Sequence, residues 1–287
     1  VTVSAVILGT ALGGLLISPW LNHCCTPNWL INDQSPSQLQ AGLVCLVIMN
    51  ALATLLSLGV ADSGARYAHH SVHPVALTAR FWRESRLLWR DRIGGLSMSV
   101  TTLLWAVGAT LQLIVLRWAN EALGLSLAHA AYLQGVTALG VIVGAVLASR
   151  YVRLDQATRL LPVGMLIGLL VPVMLGVKSV LLAVALLTLV GALAGFFVVP
   201  MNALLQHRGC TLLTAGRSIA VQGFNENAGM LLMLAAYALG TAWQVPLAWL
   251  IWALGGLITL GMVWLELAHR AGAAPPADAS ADLGLHR

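Results

Sequence analysis

The sequence predicts an all-α, polytopic membrane protein, and three observations lead to that fold class. Hydrophobic residues make up 59% of the 287 residues and charged residues only 9%, whereas a soluble domain needs about a quarter charged residues to hydrate its surface. The apolar residues are gathered into runs of about 20, the length that an α-helix needs to cross a bilayer. These runs lack the period-2 alternation of membrane strands, so helices are expected.

Eight apolar runs are long enough to be transmembrane helices. In chain order they are 1–21, 39–60, 93–118, 128–152, 160–177, 179–205, 218–243 and 245–268. The longest interruption, 61–92, ends in "ALTARFWRESRLLWRDR", where arginines alternate with aromatic and leucine side chains. That pattern favours a helix lying in the membrane interface, with a solvated linker as the alternative. The tail, 269–287, is rich in Ala, Pro and Asp and is predicted to be disordered.

The basic residues predict an orientation. The connections after the second, fourth and sixth helices and the tail together hold 13 of the 15 Lys and Arg residues. Arg117 and Lys178 are the two exceptions. The positive-inside rule therefore places these connections and both ends of the chain in the cytoplasm. Arginines in such connections meet anionic lipid headgroups, so the net charge of +5 does not indicate nucleic acid.

No enzyme signature is found in the sequence. It contains no Walker loop, nucleophile elbow, HExxH motif or dinucleotide fingerprint, so neither an enzyme nor a cofactor is expected. The histidines at 69, 70 and 73 have no cysteine or carboxylate around them, which favours a solvated loop over a metal site. The four cysteines are predicted to be unpaired thiols. The chain opens on Val1 without a signal peptide, which suggests a start inside a larger protein.

Glu226 is the one acidic residue well inside an apolar run, in "SIAVQGFNENAGMLLML". Gln222 and Asn225 lie four and one residues before it, which places all three on one helical face. Asn227 lies beside Gly223 on the adjoining strip. Because a charge at membrane depth is costly, we interpret this stripe as facing a substrate or cation in a cavity. The alternative is a structural hydrogen-bond cluster between helices, with Glu226 protonated or paired.

Two further features lie at membrane depth. Pro200, in "FFVVPMNALLQ", removes a helical hydrogen bond and predicts a kink, and Asn202 follows near the end of the run. Gln112 is the remaining polar residue deep in a helix, and alone it favours a packing hydrogen bond. Glycine pairs with GxxxG spacing, at 9 and 13, 140 and 144, and 191 and 195, are expected to let helix backbones approach closely.

Two stretches, "GFFVVPMNALLQHRG" and "AVQGFNENAGMLLML", resemble the lysophospholipid transporters of the major facilitator superfamily, and the similarity extends along most of the chain from "ILGTALGGLL". The resemblance implies a major facilitator superfamily fold of twelve helices in two halves, of which this chain would hold the last eight. Residues 1–60 would then end the N-terminal half, 61–92 would be the central cytoplasmic loop, and 93–268 would form the C-terminal half.

The resemblance also implies a function. Such proteins move lysophospholipid, chiefly lysophosphatidylethanolamine, to the inner leaflet of the bacterial inner membrane by alternating access, where an acyltransferase–acyl-carrier-protein synthetase re-acylates it. By position, Glu226, Gln222, Asn227 and Asn202 fall where the family's motifs place polar residues. The predicted substrate-binding residues are these four together with Asn225, on the same helical face as Glu226, and Gln112, which stands where the family has a basic residue. "GAVLASRYVRLD" resembles a degenerate gating loop, and the implied gating residues are Gly144, Arg150, Arg153 and Asp155. Pro200 is added to the gating residues as a predicted hinge, because of its expected kink and not because of the resemblance.

Two alternatives stay open beside this reading. The first is an efflux pump of the same superfamily for amphipathic drugs. The second is a membrane scaffold without transport activity, which would recruit the acyltransferase through the basic segment 80–92. In either case membrane lipids are expected partners, because the apolar surface must be covered by them.

Overall fold

The computed structural model describes residues 37–59 and 74–271, and this part of the chain is all-α. Its α-helices are α1 (Ser37–Leu58), α2 (Pro74–Arg90), α3 (Arg92–Leu123), α4 (Leu127–Tyr151), α5 (Leu161–Leu170), α6 (Val180–Leu212), α7 (Ala215–Ala242) and α8 (Leu247–Ala271). Two 3-10 helices, Leu154–Leu160 and Val171–Gly176, flank α5. The predicted helix 1–21, the three loop histidines and the tail beyond Ala271 lie outside the described residues.

Among residues 37–59 and 74–271, five helical segments are long and apolar enough to cross a membrane, so the chain is a multi-pass membrane protein. They are α3, most of α4, the segment Leu154–Gly176 that contains α5, α6, and α8. The predicted span 218–243 corresponds to α7, which is long enough at 28 residues but less apolar. Any stretch of about 20 residues within α7 includes Asn225, Glu226 and Asn227, and these lower its hydropathy. In α1 the apolar stretch is Leu46–Leu58.

Several helices differ in length or type from the apolar runs that predicted them. α3 continues to Leu123 and α6 to Leu212, five and seven residues past the predicted ends. Hydropathy marks the part of a helix inside lipid, whereas capping decides where the helix stops: Gly124 adopts φ +65° after α3. The predicted helix 160–177 is also corrected, since only its first part, Leu161–Leu170, is α-helical, and Val171–Gly176 is a 3-10 helix. Pro172 lies at the start of the second 3-10 helix, where the proline ring interrupts the α-helical hydrogen bonds.

The closest helix pair is α4 with α6, and glycines make it possible. A Cβ atom built on Gly144 would collide with the backbone of α6 at Ala192, and one on Gly140 would collide at Thr188. The same holds in reverse, because Gly191 and Gly195 lie directly against the backbone of α4. The prediction that these two glycine pairs allow close approach is therefore confirmed, and we call this contact the glycine seam. The pair at 9 and 13 lies outside the described residues.

The core is centred on α3, which packs against α6, α7 and α8, while α5 packs against α8. Its largest fully buried side chains include Trp118 and Phe197. A smaller cluster lies at the basic end of the bundle, where Leu88 of α2 packs with Met98, Leu205 and Val221. α2 therefore packs against the ends of three longer helices, α3, α6 and α7. The side chains that the structure describes in α1 are exposed and take no part in this core.

Candidate functional site

A hydrogen-bonded group of polar side chains joins α6 to α7. The amide nitrogen of Gln222 donates to Oδ1 of Asn202 at 2.6 Å and to Oε1 of Glu226 at 2.8 Å. Gln222 and Glu226 are one helical turn apart on α7, so one side chain can reach the other along the same face. We call these three residues the Glu226 cluster. It brings together residues 20 positions apart that the sequence had singled out separately.

The Glu226 cluster is partly withdrawn from the surface. Gln222 is only 7% exposed, and Glu226 and Asn202 are half-buried. α3 closes the cluster from a third side, because Thr101 is buried next to the Glu226 carboxylate. The hydroxyl of the neighbouring Thr102 is buried without a hydrogen-bond partner among the described residues. The sequence reasoning missed both threonines, although a pair of hydroxyl residues inside an apolar run was a usable signal.

Asn225 is directed to a different neighbour. Its Oδ1 accepts from the indole Nε1 of Trp89 at 3.1 Å, and its amide nitrogen donates to the carbonyl of Val221 at 2.8 Å. Trp89 belongs to α2, so this bond connects the amphipathic helix to the turn of α7 that carries Glu226. Asn227 is exposed, and its amide nitrogen donates to the carbonyl of Gly223 at 2.7 Å. The side chains of the predicted polar stripe therefore have three different partners. Gln222 contacts α6, Asn225 contacts α2, and Asn227 contacts the backbone of its own helix.

Gln112 lies away from the Glu226 cluster. It follows Thr101 by eleven residues on α3, which is about 16 Å along the helix axis at 1.5 Å per residue. Its side chain is exposed, and its backbone carbonyl accepts from the amide of Gln134 on α4 at 2.6 Å. A direct role for Gln112 beside Glu226 would require a ligand that extends over this distance.

The residues proposed for gating are spread over two regions. Pro200 is buried within α6, which continues unbroken on both sides of it, two residues before Asn202. Gly144 belongs to the glycine seam. Arg153 and Asp155 form an exposed ion pair at 3.2 Å, and Arg150 is exposed at the end of α4. No described contact connects Arg150 to the Arg153–Asp155 pair, and a gating role for these residues stays a prediction.

Charged side chains tie together the basic end of the bundle, where α2 meets α3, α6 and α7. Asp91 caps α3 by accepting from the backbone N–H of Gly94 at 2.7 Å. Its two carboxylate oxygens also accept from Nη2 and Nε of Arg208, at 2.5 and 3.1 Å. The hydrogen bonds from Arg208 hold the pKa of the Asp91 carboxyl below its ordinary value. Glu84 of α2 contacts Arg80 at 3.0 Å and Arg217 of α7 at 3.1 Å.

Aromatic rings reinforce the contact between α2 and α7. Phe224 lies edge-on to Phe81 with ring centroids 5.0 Å apart and to Trp82 with centroids 6.3 Å apart. Phe224 directly precedes Asn225, which Trp89 contacts. α2 is therefore attached to Phe224 by aromatic packing and to Asn225 by a hydrogen bond, immediately before Glu226 in α7.

Comparison with known proteins identifies relatives of this chain. Over 239 residues it is 37% identical to the lysophospholipid transporter LplT of Yersinia pestis (strain Pestoides F), and equally to that of Yersinia pseudotuberculosis serotype O:3 (strain YPIII). The chain is homologous to the LplT lysophospholipid transporters. Each match covers 83% of this chain and 54% of the relative, so the chain spans about half the length of the curated relatives it matches.

The other comparisons add no further relative. No protein-family profile matches the chain, and no solved structure matches it. The curated relatives are named as transporters rather than enzymes. Within residues 37–59 and 74–271, no group of three His, Cys, Asp or Glu side chains lies close enough to hold a metal ion.

Proposed function

We propose that this chain is part of a lysophospholipid transporter with a major facilitator superfamily fold of twelve helices. Homology to LplT over most of the chain supports the substrate class, and the membrane-spanning bundle supports a transport role. In this proposal residues 93–268 form the C-terminal half of the transporter and α2 lies in its central loop. The basic end of the bundle faces the cytoplasm of a bacterial cell, as the positive-inside rule predicts.

The observation that carries the proposal is the carboxylate of Glu226, which is half-buried on α7 and accepts a hydrogen bond from Gln222. In this proposal α7 crosses the membrane with the other long helices. A lone carboxylate at this depth attracts a cation strongly, because little water screens it. The ammonium group of lysophosphatidylethanolamine would pair with Glu226. The amide of Asn202 would donate to the glycerophosphate oxygens, and those of Gln222 and Asn225 would do so after giving up their present acceptors. Asn227, exposed on the adjoining strip, would lie beside the bound headgroup.

Transport would proceed by alternating access, with the lysolipid passing from the outer to the inner leaflet without any covalent step. Binding near the middle of the bilayer, between the two halves, allows each side to open in turn. Arg150, Arg153 and Asp155 would act at the cytoplasmic end as part of the gate. The re-acylating acyltransferase would then consume the product in the inner leaflet, as a functional rather than a structural partner.

The test is uptake of lysophosphatidylethanolamine into spheroplasts that carry Glu226→Gln. This change removes the charge but keeps the shape and the contact with Gln222, and we expect uptake to fall on the order of tenfold or more, since the lost ion pair is poorly screened. Glu121→Gln is the matched control, because that carboxylate is exposed and pairs with Arg117 at the other end of α3. Unchanged uptake at normal protein level would remove Glu226 from the mechanism.

The same cells separate the two competing functions. A drug efflux pump would extrude amphipathic dyes at a rate that depends on Glu226, with no inward lysolipid flux. A scaffold would be insensitive to Glu226→Gln, and its re-acylation activity would instead depend on the exposed arginines of α2, Arg83, Arg86 and Arg90.

A further inference from the structure

A cavity of about 260 Å³ opens at the basic end of the bundle, between the junction of α2 with α3 and the last turns of α8. It lies apart from the Glu226 cluster and shares no residue with it. Its lining combines charged and apolar side chains. We propose that this cavity binds the phosphodiester headgroup of an anionic phospholipid from the surrounding leaflet.

The polar part of the lining is positively charged. Arg90 is exposed, and Arg92 donates from Nη2 to the carbonyl of His269 at 2.8 Å, which fixes its guanidinium at the cavity wall with other N–H groups still available. Nδ1 of His269 is buried without a hydrogen-bond partner among the described residues. Asp91 also lines the cavity, but Arg208 neutralises it by binding both carboxylate oxygens. An anion therefore meets two guanidinium groups and no unpaired carboxylate.

The apolar part of the lining points to a lipid rather than a free anion. Leu96 of α3 and Leu265 of α8 lie below the charged rim, and Trp264 beside them is 67% exposed. α3 begins at Arg92 and α8 ends at Ala271, so the cavity lies where both helices leave the hydrocarbon. At this depth an indole favours the lipid interface and an arginine contacts phosphate. A lipid would use both parts of the lining, whereas inorganic phosphate would use only the charged part.

The occupant is specified by charge. Phosphatidylglycerol carries a net negative charge and no ammonium group, so all of its polar contacts can be made to the arginines. Phosphatidylethanolamine brings an ammonium group, which would find no free carboxylate here because Asp91 is already paired. We therefore assign the cavity to lipids of the phosphatidylglycerol type. This inference depends on the protein lying in a membrane and not on what the protein transports.

The experiment measures lipid binding to the purified protein in detergent by native mass spectrometry. The probes are phosphatidylglycerol, phosphatidylethanolamine and inorganic phosphate. Arg92→Gln removes one charge at the wall, and Ala268→Trp fills the cavity without changing any charge. Arg159→Gln is the matched control, an exposed arginine at the same end of the bundle but on the 3-10 helix Leu154–Leu160 that follows α4. Circular dichroism confirms that each variant is folded.

We expect the unchanged protein and Arg159→Gln to retain phosphatidylglycerol in preference to phosphatidylethanolamine. Arg92→Gln and Ala268→Trp should each weaken that binding on the order of tenfold. Equal retention in all four proteins would overturn the proposal, as would phosphatidylethanolamine bound as tightly as phosphatidylglycerol. Inorganic phosphate bound as tightly as the lipid would overturn the assignment to a lipid. Glu226→Gln should leave this binding unchanged, which separates the cavity from the proposed transport site.

Discussion

Asp91 has two structural roles that substitution can separate. Its carboxylate caps α3 through the backbone N–H of Gly94, and it binds Arg208 through both oxygens. Asp91→Asn keeps a good capping side chain but removes the charge, whereas Asp91→Ala removes both roles. The two variants therefore report on different interactions at a single position.

The expected magnitudes follow from the geometry. Losing an N-cap costs about 1 kcal/mol. The Asp91–Arg208 pair is bidentate but partly solvated, with side chains 16% and 34% exposed, so after solvent screening it contributes about 1–2 kcal/mol. Asp91→Asn should therefore lower the free energy of unfolding by about 1–2 kcal/mol and Asp91→Ala by about 2–3 kcal/mol.

The assay is equilibrium unfolding in mixed micelles, with Arg208→Gln and the double variants completing a mutant cycle. If the pair acts as described, Asp91→Asn should cost almost nothing once Arg208 is replaced, while Asp91→Ala should still cost the energy of the cap. Additive effects of Asp91→Asn and Arg208→Gln, within about 0.5 kcal/mol, would refute the pairing argument.

The pair also predicts a dependence on pH. The pKa of Asp91 is lower in the folded protein than its ordinary value, so its contribution is fully present above the unfolded pKa of about 3.9. That contribution is lost as the pH falls through the lower, folded pKa. The stability difference between the unchanged protein and Asp91→Asn should thus be constant from neutral pH to about pH 5 and shrink in stronger acid. A difference that vanishes near pH 6 would contradict this.

Two further predictions concern helix contacts. Gly144→Ala should destabilise the protein by about 1–3 kcal/mol, because the added Cβ would collide with the backbone of α6. Gly108→Ala is the control: the glycine has open space around it, so the change should be neutral or slightly stabilising in the same unfolding assay. Trp89→Phe keeps the ring but removes the donor to Asn225, so α2 should detach more often and be cleaved faster by trypsin. Trp82→Phe is its control, because no hydrogen bond from that indole occurs among the described residues, and equal cleavage of the two variants would count against the Trp89–Asn225 contact.

The sequence predicted the helical class and most helix positions, because long apolar runs have few other structures available in a membrane. It predicted less well where helices end. α6 continues through Arg208 to Leu212, and an arginine past the hydrocarbon looks like a loop in a hydropathy profile. Only the ion pair with Asp91, 117 positions away, shows why the helix extends so far.

The sequence located the polar residues of the candidate site, but it could not predict which residues of other helices contact them. Helical spacing placed Gln222, Asn225 and Glu226 on one face, yet it contains no information about side chains on other helices. The indole of Trp89 donates to Asn225, whereas Asn202 accepts from Gln222, and the positions of both partners depend on how α2 and α6 pack. In the same way, GxxxG spacing indicated close contacts without indicating that α4 and α6 would be the partners.

The glycine seam has a consequence for how the bundle can move. Side chains between two helices can switch rotamers and so let the helices slide, but in the seam backbone lies directly against backbone. α4 and α6 have no such layer of side chains between them, so the two helices should move together as a rigid unit. Movement of one helix against another would then occur at contacts such as that between α3 and α7. There the threonines and the Glu226 cluster can exchange hydrogen-bond partners. Spin labels on α4 and α6 should keep a constant separation while labels on α3 and α7 do not.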